Sequence, residues 1–221
     1  MTSSMMISDL FFQAAFILIV IFMFLWMLNI PQNLYDKFQF RDRSSYAARR
    51  HFVLGADLLS KSRSATDHAA AVKLAISAAE EADKSIAINP NDAVFHFLKA
   101  LALDAQGFTT SALDALDVAL SPLTSKSLCG EERSSALFKR AEIKIKIKVS
   151  EARGGLESAV SDLEESVRLN GGNAAALRLL GECYERKEMK GEAMKAYMGA
   201  IKLEPHNAVA RAALVRLGST A

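Results

Sequence analysis

The sequence predicts an all-α protein in which one N-terminal transmembrane helix precedes a stack of helical hairpins. Three features predict this fold class: an uncharged apolar segment at residues 10–30, two amphipathic helical patterns within residues 174–205, and recurrent short breaks within residues 44–218. The breaks contain Asn, Pro or Gly, which end helices. Because one such hairpin cannot bury its apolar surface alone, we expect the hairpins to stack.

The composition restricts the possible function classes. Of the 221 residues, 51% are apolar, and the formal net charge is +2. The apolar excess is concentrated near the N-terminus, and the absence of a basic tract interleaved with aromatic residues argues against nucleic acid as a partner. The two cysteines, Cys129 and Cys183, show no CxxC spacing. They indicate a reducing compartment rather than a disulfide framework.

Residues 10–30 are predicted to form a membrane anchor. The segment runs from Leu10 to Ile30 without a charged side chain, and a helix of this length spans about 31 Å, the thickness of a bilayer core. Trp26 lies near its end, where aromatic residues favour the membrane interface. A cleaved signal peptide is the alternative, but no Lys or Arg precedes the segment and no small-residue cleavage pattern follows it.

The charges on either side of this segment predict its orientation. Residues 1–9 form a short tail whose one charged side chain is Asp9, whereas five cations follow in or just after the predicted linker 31–43. These are Lys37, Arg41, Arg43, Arg49 and Arg50. The positive-inside rule therefore places the C-terminal domain in the cytosol. The strong hydrophobicity favours the endoplasmic reticulum or a later secretory membrane, with a mitochondrial or plastid outer membrane as the alternative.

Residues 44–218 are predicted to form four hairpins and a final capping helix. Apolar residues at helical spacing define each helix, and polar breaks separate them. The hairpins cover about residues 44–90, 93–122, 134–171 and 174–205, and the capping helix covers residues 206–218. Residues 121–131, between the second and third hairpins, are rich in Ser and are predicted to be an exposed loop.

One segment carries two conflicting patterns. Ile143, Ile145, Ile147 and Val149 alternate with lysines, as they would in a half-buried strand. The flanking patterns are helical, and an isolated strand would have no pairing partner. We therefore predict a helix through this segment.

The last hairpin resembles a tetratricopeptide repeat (TPR). Eight of its residues fall on the signature spacing of that family within one 34-residue frame. They are Leu177, Leu180, Gly181, Tyr184, Ala193, Tyr197, Ala200 and Pro205. The earlier hairpins match fewer positions of the repeat signature. The resemblance implies a right-handed solenoid whose concave groove binds peptides or partner helices, without catalytic chemistry.

One subgroup of this family holds the C-terminal carboxylate of heat-shock chaperones in a clamp of Lys, Asn and Arg. The corresponding residues here are Phe52, Ala56, Leu98, Ser135 and Lys139. With the frame shifted by one repeat they are Phe97, Leu101, Lys139, Ala175 and Leu179. Only Lys139 is basic in either set, so the resemblance does not extend to the chaperone clamp.

The sequence offers little for catalysis or metal binding. The four histidines, His51, His68, His96 and His206, lie on separate segments without Cys or carboxylate at ligand spacing. No glycine-rich phosphate loop or nucleophile motif is present in the sequence. We therefore expect no metal, no cofactor and no enzymatic activity.

A basic stripe is the candidate protein-binding site. Arg140, Lys144 and Lys148 recur at i, i+4 and i+8 of a helix, with Lys139 and Lys146 beside them. Such a stripe can steer an acidic or phosphorylated peptide. The alternative is a solvated helix face whose aliphatic stems cover apolar surface.

These features together predict a non-enzymatic, membrane-anchored adaptor or scaffold. It would bind an unidentified protein or peptide in its repeat groove on the cytosolic face of a membrane. The alternative function is that of a targeting or import receptor at an organelle surface, similar to a co-chaperone.

Overall fold

A computed structural model describes Ile17 and residues 30–147 and 153–218. By its internal contacts the chain divides into two units, Met1–Ala47 and Ala48–Ala221. Apart from Ile17 and Ile30, the predicted anchor lies outside the described residues, as do the N-terminal tail and Lys148. Within the described part of the chain, no helix combines the length and apolar character needed to cross a bilayer.

Nine α-helices occur in the described part of the chain. They are α1 (Ile30–Ser64), α2 (His68–Ile88), α3 (Ala93–Ala105), α4 (Thr109–Ala119), α5 (Gly130–Lys146), α6 (Arg153–Leu169), α7 (Ala174–Arg186), α8 (Lys190–Leu203) and α9 (Ala208–Gly218). Residues 143–146 lie in α5, so the helical prediction for the segment with alternating isoleucines and lysines is confirmed up to that point.

Helix α1 begins earlier than the sequence predicts. It includes residues 31–43, which the sequence assigned to a linker, and it ends at Ser64. Pro31 falls in the first turn, where its missing amide hydrogen costs no hydrogen bond. No further Pro or Gly occurs before Gly55, so nothing in the local sequence interrupts the helix.

Side-chain caps begin several helices of the second unit. The carboxylate of Asp67 accepts hydrogen bonds from the amides of Ala69 and Ala70 at the start of α2. Asp92 accepts one from the amide of Val94, and Asn173 begins α7 in the same way. These caps satisfy amides that lack a partner in the first turn of a helix. The polar breaks in the sequence are thus helix starts.

From α2 onward, each helix packs against the next one in the chain. Small side chains lie at the crossings, because Ala78, Ala100, Ala141 and Ala193 are all fully buried. Larger residues such as Leu116, Leu163 and Tyr197 fill the spaces between helices. This alternation of small and large residues lets neighbouring backbones approach closely while the core stays filled.

Two glycines mark the closest approaches. A Cβ atom on Gly181 of α7 would lie 2.8 Å from Cε1 of Tyr197 on α8. A Cβ atom on Gly55 of α1 would lie 3.0 Å from Cδ2 of Leu98 and 3.2 Å from the carbonyl oxygen of Ala78. The first hairpin therefore uses a glycine at its crossing, as the best-matching repeat does.

The prediction of an exposed loop at residues 121–131 is wrong in part. The segment contains a short 3-10 helix, Ser125–Ser127, and Thr124 is only 4% exposed. The Thr124 hydroxyl bonds to carbonyl oxygens at the end of α4, and Ser127 Oγ accepts the amide hydrogen of Ala93 at 2.9 Å. Its serines and threonine therefore terminate one helix and begin another, which a compositional pattern alone does not indicate.

Candidate groove site

A groove opens between α1, α3 and the start of α5 within the unit Ala48–Ala221. Its cavity has a volume of about 340 Å³, near the lower end of the range for ligand pockets. The residues that line it come from three helices: Phe52, Ala56, Leu59, Ser60, Arg63, Val94, Phe97, Leu98, Leu101 and Glu132. The first helices of successive hairpins thus build one concave surface.

The floor of this groove is apolar. Leu59 and Leu98 are buried beneath it, whereas Phe52, Phe97 and Leu101 are only partly buried. The ring of Phe52 packs at a tilt against that of Phe95, with centroids 5.7 Å apart. Rigid aromatic rings with uncovered edges can receive an apolar side chain at a small cost in conformational entropy.

A second cavity of about 390 Å³ adjoins the first. The two share Phe52, Val94 and Glu132, and the second extends to Arg49 and Ser127. The combined groove therefore follows one face of α1 from Arg49 to Arg63. Two of the residues aligned with the chaperone clamp, Phe52 and Ala56, lie on this face, where their chemistry suits an apolar side chain rather than a carboxylate.

The acidic residues that border the groove are engaged at helix starts. Glu132 accepts the amide hydrogen of Cys129 at 2.9 Å, which caps α5. Asp92 accepts the amide hydrogen of Val94 at 3.2 Å, which caps α3. Both carboxylates thus satisfy backbone groups that would otherwise lack a partner.

The two arginines at the ends of the groove have a different environment. Arg49 and Arg63 are both exposed. Within residues 45–147 and 155–218, whose side chains the structure describes, neither forms an ion pair or a side-chain hydrogen bond. Sequence reasoning assigned Arg49 to the topology of the anchor. Arg49, Phe52 and Ala56 are spaced by three and four residues, as on one helical face. This spacing in the sequence could have linked Arg49 to the groove.

The basic stripe lies elsewhere and is paired within the protein. Lys139 Nζ lies 2.6 Å from Oδ2 of Asp104 on α3 and 2.8 Å from Oε2 of Glu142. Burial disfavours the charged form of Lys139, but the hydrogen bonds to these two carboxylates outweigh it and raise its pKa. Lys146 is more exposed and lies 3.6 Å from Glu142 and 3.8 Å from Asp104.

Asp162 on α6 forms ion pairs with the other two described cations of the stripe, Arg140 and Lys144. Arg140 Nη2 and Nε lie 2.6 Å and 2.9 Å from its two carboxylate oxygens, and Lys144 Nζ lies 2.7 Å from Oδ2. Arg140 also reaches Asp117 on α4 at 3.0 Å. Burial opposes the charge of Arg140, but Asp162 and Asp117 outweigh it and raise its pKa. These contacts favour the structural interpretation of the stripe, which sequence reasoning could not reach because the carboxylates lie on other helices.

The residues of the repeat signature have packing roles. Tyr197, Ala193 and Ala200 are buried in one cluster with α9, and Leu177 lies against Gly199. Tyr184 donates a hydrogen bond from its hydroxyl to Oε1 of Glu164 at 2.7 Å. Burial, together with this bond, raises the pKa of Tyr184 to about 12. Leu180 is also buried, and Pro205 lies in the turn after α8.

The histidines do not come together. His51 Nδ1 lies 2.6 Å from Oε2 of Glu81, and His96 Nε2 lies 2.8 Å from the carbonyl oxygen of Pro90. His68 and His206 are exposed at helix ends or turns. Among the described residues, no cluster of three His, Cys, Asp or Glu side chains could hold a metal ion. The contact between His51 and Glu81 joins α1 to α2 and was not predicted.

A third cavity, of about 710 Å³, lies between α7, α8 and α9. Its lining is mixed in charge and includes Glu182, Glu185, Arg186 and Arg216. Arg216 Nη2 lies 2.8 Å and 2.6 Å from the two carboxylate oxygens of Glu185. This end of the domain thus pairs opposite charges across the cavity, beside an apolar lining that includes Tyr197, Val209 and Ala213.

The sequence matches no protein-family model and no curated protein. Several solved structures are similar in fold. MamA residues 41 to the end, from Desulfovibrio magneticus RS-1, has a TM-score of 0.60 and 18% identity, over 79% of this chain and 85% of that one. TTC0263, a thermophilic TPR protein of Thermus thermophilus, has a TM-score of 0.53 and 20% identity, over 79% and 82%.

YrrB, a TPR protein with an unusual peptide-binding site, has a TM-score of 0.55 and 17% identity, over 67% of this chain and 70% of that chain. At this level of identity the likeness concerns the fold. It agrees with the stacked helical hairpins. The fold of the chain is therefore an all-α, TPR-like helical solenoid.

Proposed function

We propose that the chain is a non-enzymatic scaffold that captures a segment of another protein in the groove between α1 and α3. The observation that carries the proposal is the floor of this groove, where Phe52, Phe97 and Leu101 remain partly uncovered within a concave cavity. Concave apolar surfaces with a few polar groups at the edge are the usual form of a binding site.

The geometry of the groove favours a short helical or extended segment over a flat protein surface. Helices α1 and α3 supply two walls, and the cavity accommodates side chains rather than a whole element. An amphipathic helix that inserts its apolar face into such a groove is a recurrent mode of peptide recognition. YrrB, a TPR protein of similar fold, has a peptide-binding site, which supports a peptide as the occupant.

The proposal includes a membrane tether, which rests on the sequence of residues 10–30 alone. By the positive-inside rule, the cations after this segment support a cytosolic position for the repeats, and the strong hydrophobicity supports the endoplasmic reticulum or a secretory membrane. We expect the full chain to stay with membranes during alkaline extraction. Release into the soluble fraction would contradict the tether. Glycosylation of an N-glycosylation acceptor inserted after residue 218 would show that the C-terminal side faces the lumen, opposite to the proposed orientation.

Site-specific photocrosslinking tests the groove. A photoreactive amino acid at Ser60, an exposed position that lines the cavity, should give a discrete covalent adduct in cells that make the full chain. The same amino acid at Ser111, exposed on α4, is the positional control. We expect no such adduct from Ser111, because it lies outside both groove cavities.

Substitutions at matched positions complete this test. Ala56→Glu places a charge on the floor of the groove and should abolish the Ser60 adduct, whereas Ile76→Glu, at an exposed position on α2, should leave it intact. Circular dichroism would establish that both variants fold. The proposal is wrong if Ser60 gives no adduct, or if the adduct persists in a folded Ala56→Glu variant.

A further inference from the structure

We propose that the segment captured in this groove is an amphipathic helix with an apolar centre and carboxylates near both ends. This inference rests on the proposed function, because it concerns the occupant of the same groove. It goes beyond that function by stating the charge pattern that the groove selects.

The first argument is the order of side chains along α1. Arg49, Phe52, Ala56, Ser60 and Arg63 follow one another at intervals of three or four residues, so they share one helical face. Arg49 and Arg63 are separated by about 21 Å along the helix axis. The groove therefore has one cation at each end and an apolar floor between them.

The second argument is the pairing of charges. Among the described side chains, Arg49 and Arg63 lack a carboxylate partner, whereas the neighbouring acids, Asp92 and Glu132, already accept backbone hydrogen bonds. The partly buried cation Lys139 shows the opposite arrangement, with the carboxylates of Asp104 and Glu142 at hydrogen-bonding distance. Arg49 and Arg63 therefore supply the positive charge at the two ends of the groove, and acids on the occupant would complement these two guanidinium groups.

The third argument is the match between these positions and a helical occupant. A helix of about four turns extends as far as the two arginines and presents apolar residues on one face at i, i+3 or i+4, and i+7. Carboxylates in its first and last turns would then meet the guanidinium groups of Arg49 and Arg63. Guanidinium forms two parallel hydrogen bonds with a carboxylate, so the contact fixes position as well as charge.

The test uses the purified full chain and three fluorescent helical peptides of about 16 residues. All three carry the same leucines on one face, and they differ in having Glu, Gln or Lys in the terminal turns. Fluorescence anisotropy would measure the dissociation constants. We expect the Glu peptide to bind about tenfold more tightly than the Gln peptide at low salt, and the Lys peptide to bind most weakly.

Charge reversal of the two arginines supplies the matched variant. Arg49→Glu together with Arg63→Glu should reverse the order, so that the Lys peptide binds best. Lys195→Glu together with Arg211→Glu makes the same change in net charge at exposed positions outside the groove and should leave the order unchanged. Unfolding midpoints of both double variants would show that the fold is retained.

The outcomes separate this inference from the proposed function. Equal affinity for all three peptides, or a preference for Lys, overturns the charge pattern but leaves the groove as a binding site. Failure of every peptide to bind overturns the inference, and the proposed function fails too if Ser60 also gives no adduct. Binding of phosphatidylserine vesicles with the same arginine dependence, without binding of the Glu peptide, would overturn it in favour of a lipid surface.

Discussion

Lys139 Nζ lies 2.6 Å from Oδ2 of Asp104, and this contact joins the first helix of the third hairpin to the first helix of the second. The two side chains are only 17% and 13% exposed. Because Lys139 is paired with carboxylates of the protein itself, its charge stabilises the contact between the two hairpins. Arg49 and Arg63 at the groove differ, since neither has a carboxylate partner among the side chains that the structure describes.

We expect Lys139→Met to lower the free energy of unfolding by about 1–3 kcal/mol, because Asp104 then keeps only a distant contact with Lys146. Chemical denaturation of the full chain would measure the loss. Lys126→Met, at an exposed position, is the control and should change the stability by no more than about 0.5 kcal/mol. Similar losses for the two variants would contradict a structural role for Lys139.

Asp162 presents a second test of the charge network. Its side chain is 7% exposed and accepts hydrogen bonds from both Arg140 and Lys144. Asp162→Asn keeps the shape but removes the charge, and we expect a loss of about 3 kcal/mol or more in denaturation experiments. Asp117→Asn, which affects one contact of a 55% exposed side chain, should cost less than about 1 kcal/mol. A larger effect at Asp117 would show that the network is centred elsewhere.

Local patterns in the sequence predict the helices well, because helix periodicity and caps depend on neighbours in the chain. The bounds of α3 follow from the cap at Asp92 and the break at Gly107, and the small residues of the last hairpin predict its crossing. The start of α1 is different. No Pro or Gly occurs between Pro31 and Gly55, so the local sequence does not show where the helix begins relative to the predicted linker.

The functional site is less predictable, because it depends on which side chains meet across hairpins. The spacing of the repeat family placed Phe52 and Ala56 in a groove, and their apolar chemistry was visible in the sequence. The partners of Lys139 and Arg140 were not, since Asp104 and Asp162 lie on other helices. A stripe of cations in the sequence of one helix therefore does not show whether those cations are free to bind a partner. That depends on the carboxylates of the helices packed against it.

The glycine crossing of the last hairpin makes a sharp packing prediction. Gly181→Ala would place a Cβ atom 2.8 Å from the ring of Tyr197, which is itself 1% exposed and has little room to move. We expect a loss of about 1–3 kcal/mol by chemical denaturation. Gly191→Ala, in the first turn of α8 with no atom within 4 Å of the new Cβ, should be neutral or stabilising by up to about 1 kcal/mol.

Cysteine labelling would report the stability of the last repeats. Cys129 is exposed, whereas Cys183 is 1% exposed, and burial raises the pKa of the Cys183 thiol to about 11. A thiol reagent at neutral pH should modify Cys129 at least about a hundredfold faster than Cys183, because the thiolate is the reactive form. Cys129→Ser should remove the fast phase and leave the slow one. A single phase for both thiols in the native chain would contradict the packing of α7.

The hydrogen bonds of Glu81 with Lys84 on α2 and His51 on α1 predict that stability depends on pH in acid. Hydrogen bonds from Lys84 and His51 lower the pKa of the Glu81 carboxyl below its ordinary value of 4.5, although burial opposes the shift. The folded state therefore binds this proton less readily than the unfolded state. The stabilisation is complete above about pH 4.5 and is lost as the pH falls through the lower pKa of the folded state.

Glu81→Gln tests this dependence, because it removes the titrating group while it keeps the shape of the side chain. Urea denaturation between about pH 6 and pH 3 should show lower stability for the variant at pH 6 and a shallower decline in acid, so that the two curves converge. Glu80→Gln, at the exposed neighbouring position, should follow the original chain. Parallel curves for the original chain and Glu81→Gln would show that the hydrogen bonds from Lys84 and His51 do not lower the pKa of the Glu81 carboxyl.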